Sequence, residues 1–187
     1  SGPVWKEKIP EIREQTRIYR LPRILFRQEE KVFFESSIVG ADSSLFKVFT
    51  MPMVLGDPLT ALNSPNSIVL TEKLAAKYFG EANPLGKTIT LENKLQFIVT
   101  GVMKDLPKNS IFSFEGVIPY SFLRKIGATD NYWGNNSIFT FVLLERDSDP
   151  EAVNKKLTDV VLEYYPQTTT KYVLFPLLDI HLHAQFG

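Results

Sequence analysis

The run Ser67–Asp105 constrains the fold more than any other part of this 187-residue chain. Ser67–Leu70 is a short apolar run, and Thr71 follows it with a side-chain oxygen able to accept from the free N–H groups of a first helical turn. Leu74, Ala75, Tyr78 and Phe79 then share one stripe at helical spacing, and Gly80 stands where a left-handed C-terminal residue is needed. Pro84 and Gly86 turn the chain. Lys87–Leu91 alternates polar Lys87, Thr88 and Thr90 with apolar Ile89 and Leu91, and Leu95–Met103 returns across the Glu92-Asn93-Lys94 tip. That pattern predicts a β-hairpin, so the whole run reads as strand, helix, turn and two further strands.

The same run contains a near-match to a phosphate-binding loop. Gly80 and Gly86-Lys87-Thr88 imitate it, but five residues separate the first glycine from the Gly-Lys pair where the motif needs four. The order of elements is also wrong. A phosphate loop follows a strand and opens a helix, so that helix N–H groups point at the anion; here the glycines close a helix and open a strand. Phe141–Glu145 is only a weak counterpart of the acidic strand that would complete such a site.

Three segments carry a family resemblance: V-L-T-E-x-L-A-x-K-Y-F-G over Val69–Gly80, Pro84-Leu85-Gly86-Lys87, and V-T-G-V-x-K-D-x-P-x-N-S over Val99–Ser110. With Gly56-Asp57-Pro58 before them and Leu177–Leu182 near the end, they resemble the periplasmic core domain of macrolide-exporter-like (MacB/FtsX-like) ABC-transporter permeases. The resemblance covers nearly the whole chain with order and spacing kept. It implies a chain cut between two membrane spans, with a first strand missing just before its start. It also implies ends that lie together on the membrane side. The implied partners are a cytoplasmic ABC ATPase reached through transmembrane helices, a second permease subunit, and a periplasmic or outer-membrane protein.

Composition agrees with an extracytoplasmic module. With 44% hydrophobic residues the chain can bury a real core, and 21 basic against 21 acidic side chains leave no net field for nucleic acid or an anionic membrane. Arg13, Arg17, Arg20, Arg23 and Arg27 are interrupted by Glu14 and followed by Glu29 and Glu30, so they read as a solvated strand face. The chain has no cysteine, which removes disulfides, thiol catalysis and Cys-containing metal sites. No apolar run reaches the roughly 18 residues needed to cross a bilayer, and the start lacks a signal-peptide layout.

Taken in order, Ser1 and Gly2 fit either a native start or a cloning remnant, and a short helix runs from Pro3 to about Ile9 before Pro10 breaks it. Glu11–Arg20 and Ile24–Phe26 read as strands, Lys31–Val39 as their hairpin partner across Gln28-Glu29-Glu30, and Ser44–Phe49 as a short helix. Thr50–Pro65 reads as loop and marks a lobe boundary. Phe122 and Leu123 fall on a short helix, and Gly127–Asn136 is a turn-rich connection in which Tyr132 and Trp133 either cap the core or anchor a partner. Ser137–Glu145 is apolar on both faces except for Thr140, as a central buried strand would be. Asp149-Pro150-Glu151 opens a helix with its cap, proline and acid in favoured places, Pro166 ends it, and Lys171–Phe175 returns as a strand.

The expected class is α+β, as a two-lobe domain. Residues 1–49 and 135–187 form a membrane-proximal split β-α-β lobe lacking one early strand, and residues 50–134 form an inserted lobe around the strand-helix-hairpin unit.

Sites for chemistry are few. His181 and His183 would share one strand face, with Asp179 the only nearby carboxylate, which is too few ligands for a zinc site. There is no Gly-x-Ser-x-Gly elbow. Asp57, Asp105 and Glu115 could be drawn as paired carboxylates, but Asp57 and Asp105 stand beside prolines in turns, where acids hydrogen-bond backbone. Asn135-Asn136-Ser137 fits a glycosylation sequon. We therefore expect no catalytic, cofactor-binding or metal-binding residues and no cofactor. The leading reading is the extracytoplasmic domain of an ABC-transporter permease that passes ATP-driven motion to cargo or partners. The alternatives are a free-standing periplasmic lipid- or peptide-binding or chaperone module, and an enzyme using the Gly86-Lys87 turn.

Overall fold

Thr71 does what its side chain suggests: its Oγ1 accepts from the Leu74 N–H at 3.3 Å and starts helix α3, Glu72–Phe79. The computed structural model describes residues 2–127 and 137–180. Before α3 stands β6 (Ser67–Thr71), buried along its whole length, and after it the hairpin of β7 (Thr88–Leu91) and β8 (Leu95–Met103), with Ile89 opposite Phe97. β8 lies parallel to β6, so the expected strand-helix-hairpin unit closes on itself. Gly86 has φ +77°, which the turn into β7 requires and a side chain would oppose.

Around this unit the chain builds one mixed sheet. The remaining elements are α1 (Gly2–Lys8), β1 (Ile12–Arg20), β2 (Ile24–Gln28), β3 (Lys31–Glu35), β4 (Ile38–Ala41), α2 (Leu45–Val48) and β5 (Met53–Leu55). They are followed by β9 (Gly116–Pro119), α4 (Tyr120–Lys125), β10 (Ile138–Leu144) and α5 (Pro150–Tyr164). The strand order is β10-β1-β4-β9-β6-β8-β7-β2-β3, with β5 pairing on β8. The class is mixed α+β, as expected.

The sheet is covered on both faces. Along β4, β6 and β9 alternate residues go to different cores: Ile38, Ile68, Leu70 and Ile118 pack with α3 and α4, whereas Val39, Val69 and Val117 pack with Leu45 of α2 and Phe114. This is the two-residue period of strands buried on both sides. A third cluster joins Trp5 and Ile9 to Ile12 and to Val153, Leu157 and Val161 of α5. Gly40 lets α4 approach, because a Cβ there would fall 2.2 Å from Leu123 Cδ1.

Several local expectations change. Lys31–Val39 is two strands: β3 stays with β2, but the Ser37 carbonyl accepts from the Glu115 N–H and draws β4 alongside β9. Thr50–Pro65, read as loop, contains β5, too short at three residues to show periodicity. β9 was not expected at all, being four residues that end in proline and run straight into α4. Lys171–Phe175 pairs with no strand among the described residues, and its Leu174 N–H is taken by Asn154 Oδ1. β10, expected at the centre, is an edge strand among the described residues. Apolarity on both faces marks a strand that is to be covered on both faces; it does not say by what.

Candidate functional site

β10 pairs with β1 from Ile12 to Tyr19 on one side, and among the described residues no strand pairs with its other side. Phe139, Phe141 and Leu143 face one way and Thr140, Val142 and Leu144 the other, yet all six line a single groove of about 770 Å³. Its far wall is the run from Val173 to Pro176 and Leu177 of the 3-10 turn that follows, where Val173 is 70% exposed. Its floor is a triangle of rings. Phe49, Phe112 and Phe141 pack edge to face with centroids 4.8, 5.2 and 5.5 Å apart, a geometry favoured by the ring quadrupoles. Phe49, Ile111, Phe112 and Leu177 also line a smaller cavity of about 380 Å³ bounded by Lys104 and Asp105.

The groove offers little for bond-breaking chemistry. Arg20 is its one charged lining residue among those described, and its guanidinium donates to Ser113 Oγ at 2.8 Å. An apolar trough with one cation at its rim suits an extended apolar occupant, and among the described residues it holds no acid-base pair to move a proton.

The carboxylates singled out from the sequence hold structure together. Asp105 Oδ1 accepts from the Lys73 N–H at 3.0 Å and Glu115 Oε1 takes the Lys73 ammonium at 2.6 Å, so both converge on the first turn of α3. The Glu115 pairing raises the Lys73 ammonium above its usual range. Asp57 accepts from the Leu59 N–H and the Thr60 hydroxyl in a local turn. Lys87 lies over the Phe79 ring, 5.5 Å from its centroid, and Gly86 opens a strand, so the glycine-lysine turn is no phosphate cradle.

Arg17 departs from the reading of a solvated basic face. It forks onto Asp42 at 2.7 and 2.9 Å and stacks on Tyr120 at 3.8 Å, joining β1 to the turn before α2 and to α4. Arg13, Arg20, Arg23 and Arg27 are exposed as expected. Asp179 sits in a single 3-10 turn, and among the described residues no three His, Asp or Glu side chains group as metal ligands. His181, His183, Tyr132, Trp133, Asn135 and Asn136 lie outside the described residues.

Sequence reasoning missed one network. Glu35 is only 6% exposed and accepts from the Tyr78 hydroxyl and from Lys77 Nζ at 2.6 Å, while Lys31 Nζ donates to the carbonyls of Lys77 and Tyr78. The network ties β3 to α3. Burial, with the Glu35 carboxylate adding to it, pushes the Tyr78 phenol far above its usual value. The helix stripe holding Tyr78 and the strand reading over Lys31–Val39 that holds Glu35 are both legible in the sequence, but not that they meet.

The family profile of the MacB-like periplasmic core domain matches residues 3–160. The chain belongs to that family. It is, by that membership, the periplasmic domain of a MacB-like ABC-transporter permease, on the periplasmic side of the inner membrane. The fold is similar to the periplasmic region of MacB from Actinobacillus actinomycetemcomitans, with TM-score 0.68 and 24% identity over 88% of this chain and 72% of that one. It is also similar to the extracellular domain of the noncanonic ABC-type transporter YknZ from Gram-positive bacteria, with TM-score 0.70 and 19% identity over 93% and 86%. No curated protein matches the chain. Among the described residues of this MacB-like domain, no helix is long and apolar enough to cross a membrane.

Proposed function

We propose that this domain is a transmission body: it carries motion generated by ATP hydrolysis in the cytoplasm to cargo or partner proteins outside the membrane. The supporting observation is the continuous sheet from β10 to β3, packed on both faces, because a lever needs stiffness across its length rather than tuned acids and bases. Residues 1–49 and 135–187 act as the membrane-proximal lobe, from which the β2–β3 hairpin reaches across to β7, and residues 50–134 form the distal lobe. The working unit is a dimer of permease subunits driven by an ABC ATPase, and the domain itself performs no catalysis.

The test is to read the native gene on both sides of this chain for apolar runs of about 20 residues. Flanking spans, one before and about three after, support the lever. A gene with only a cleavable signal in front removes it and leaves a free-standing lipid- or peptide-binding module, which would use the groove beside β10.

A further inference from the structure

We propose that the outer edge of β3 is a self-pairing surface, on which two copies of this chain join antiparallel about a two-fold axis at Phe33. The backbone groups that β3 leaves unused come first. Glu29-Glu30 is a two-residue turn, so Gln28 and Lys31 are its closing hydrogen-bonded pair, and Phe26 with Phe33 and Ile24 with Glu35 follow at every second residue. The N–H and C=O groups of Val32 and Phe34 therefore point away from β2. Among the described residues no other strand pairs with β3, and no turn or side chain takes these groups.

β3 lacks the usual protection of an edge. Native edge strands are blunted by charge, proline or bulges. Lys31–Glu35 contains no proline, pairs with β2 without a bulge, and leaves Phe33 42% and Phe34 55% exposed on its two faces. Its charges do not guard it, because both side chains turn onto α3. Lys31 donates to the Lys77 and Tyr78 carbonyls, and Glu35 accepts from the Lys77 ammonium and the Tyr78 hydroxyl.

The residue pattern chooses the occupant. Val32 and Phe34 flank Phe33 with apolar side chains, and Lys31 and Glu35 end the strand with opposite charges. An antiparallel second copy sets Phe33 opposite Phe33, Val32 opposite Phe34 and Lys31 opposite Glu35, so each end meets its opposite charge. An in-register parallel copy would set Lys31 against Lys31 and Glu35 against Glu35, which is destabilising. In the antiparallel register the Val32–Phe34 pairs carry the hydrogen bonds, using the groups that β2 leaves free. The contact is isologous and closes at two copies. A strand of five residues buries less than the roughly 1,200 Å² of a stable interface, so the free domain associates weakly and reversibly. The contact needs two copies to meet, not ATP to move them, so it stands or falls apart from the lever.

The chain has no cysteine, so single cysteines report the contact in a glutathione redox buffer. In this register the two Phe33 Cα atoms lie about 4.5 Å apart, within disulfide reach, and the two Phe34 Cα atoms about 8 Å apart, beyond it. Phe33→Cys is expected to give more than about tenfold as much disulfide-linked dimer as Phe34→Cys at equal protein concentration. Random collision predicts the reverse order, because Phe34 is the more exposed. Phe33 packs on Tyr78, so a second reading leaves it intact and decides alone if Phe33→Cys unfolds the hairpin. Val32→Cys mixed with Phe34→Cys should give more mixed dimer than the two like pairs together. Phe33→Cys linking no more than Phe34→Cys overturns the proposal, as does a Val32→Cys and Phe34→Cys mixture with no excess of mixed dimer; the edge would then belong to a strand of another protein or to none.

Discussion

The Lys73 main-chain N–H donates to Oδ1 of Asp105 at 3.0 Å, across 32 residues of sequence. The contact explains why a carboxylate belongs just after β8. It supplies the first turn of α3 with a negative charge and an acceptor, while Thr71 serves the next free N–H. The Lys73 ammonium, paired with Glu115, then fixes the start of β9 to the same turn.

Asp105→Ala is expected to lower the stability of the domain by about 1 to 2 kcal/mol, the usual cost of losing a helix-capping acceptor. Urea unfolding measures it, and an unchanged midpoint would contradict the role. Asp105→Asn should recover part of the loss, because the acceptor returns without the charge.

Tyr78→Phe removes a buried donor from the Glu35 carboxylate and should cost about 1.5 to 3 kcal/mol, the range for a hydrogen bond to a charged group. It also has a pH signature. The folded phenol is raised above its ordinary 10.0, so above that pH the unfolded chain loses a proton that the folded one keeps. Stability from this group is complete below pH 10.0 and falls as pH rises beyond it. Thermal unfolding between pH 8 and 11 should show a steeper alkaline decline in the native protein than in Tyr78→Phe; parallel curves would contradict the burial.

Thr16 is fully buried, opposite Phe141 on the neighbouring strand, and among the described residues its hydroxyl has no partner. Thr16→Val keeps the shape and removes the orphan oxygen, so it should raise stability by about 1 kcal/mol. A loss of stability would mean that the hydroxyl is satisfied in solution.

Much of this was legible in the chain. Thr71, Gly80, the Leu74 to Phe79 stripe and the alternation in Lys87–Leu91 are local signals, and local geometry obeyed them. What failed was long-range. Nothing near Lys31–Val39 says that the Ser37 carbonyl will meet the Glu115 N–H, and that meeting splits the strand. Arg17 looked solvated because Asp42 and Tyr120 reach it only after the sheet has formed. The apolar groove followed the same logic: β10 announced two covered faces, and only the strand order showed that no strand pairs with one of its edges among the described residues.

Lys87→Ala separates the lever from the enzyme reading. Calorimetric titration of the native domain with ATP and magnesium should give no binding heat, and the substitution should change stability by less than about 1 kcal/mol, the worth of an exposed cation over a ring. Saturable binding abolished by Lys87→Ala would reinstate a nucleotide site.

The most direct test of the central claim is a distance across the working transporter. A spin label in place of Lys94, exposed at the β7–β8 hairpin tip, is placed on both permease subunits of the full-length complex with its ATPase. Pulsed electron resonance then compares the nucleotide-free and ATP-trapped states. If the domain transmits motion as a stiff body, the distance between the two labels shifts as a whole, while two labels within one domain keep theirs. An intersubunit distance that stays fixed while ATP is hydrolysed and cargo moves would contradict it.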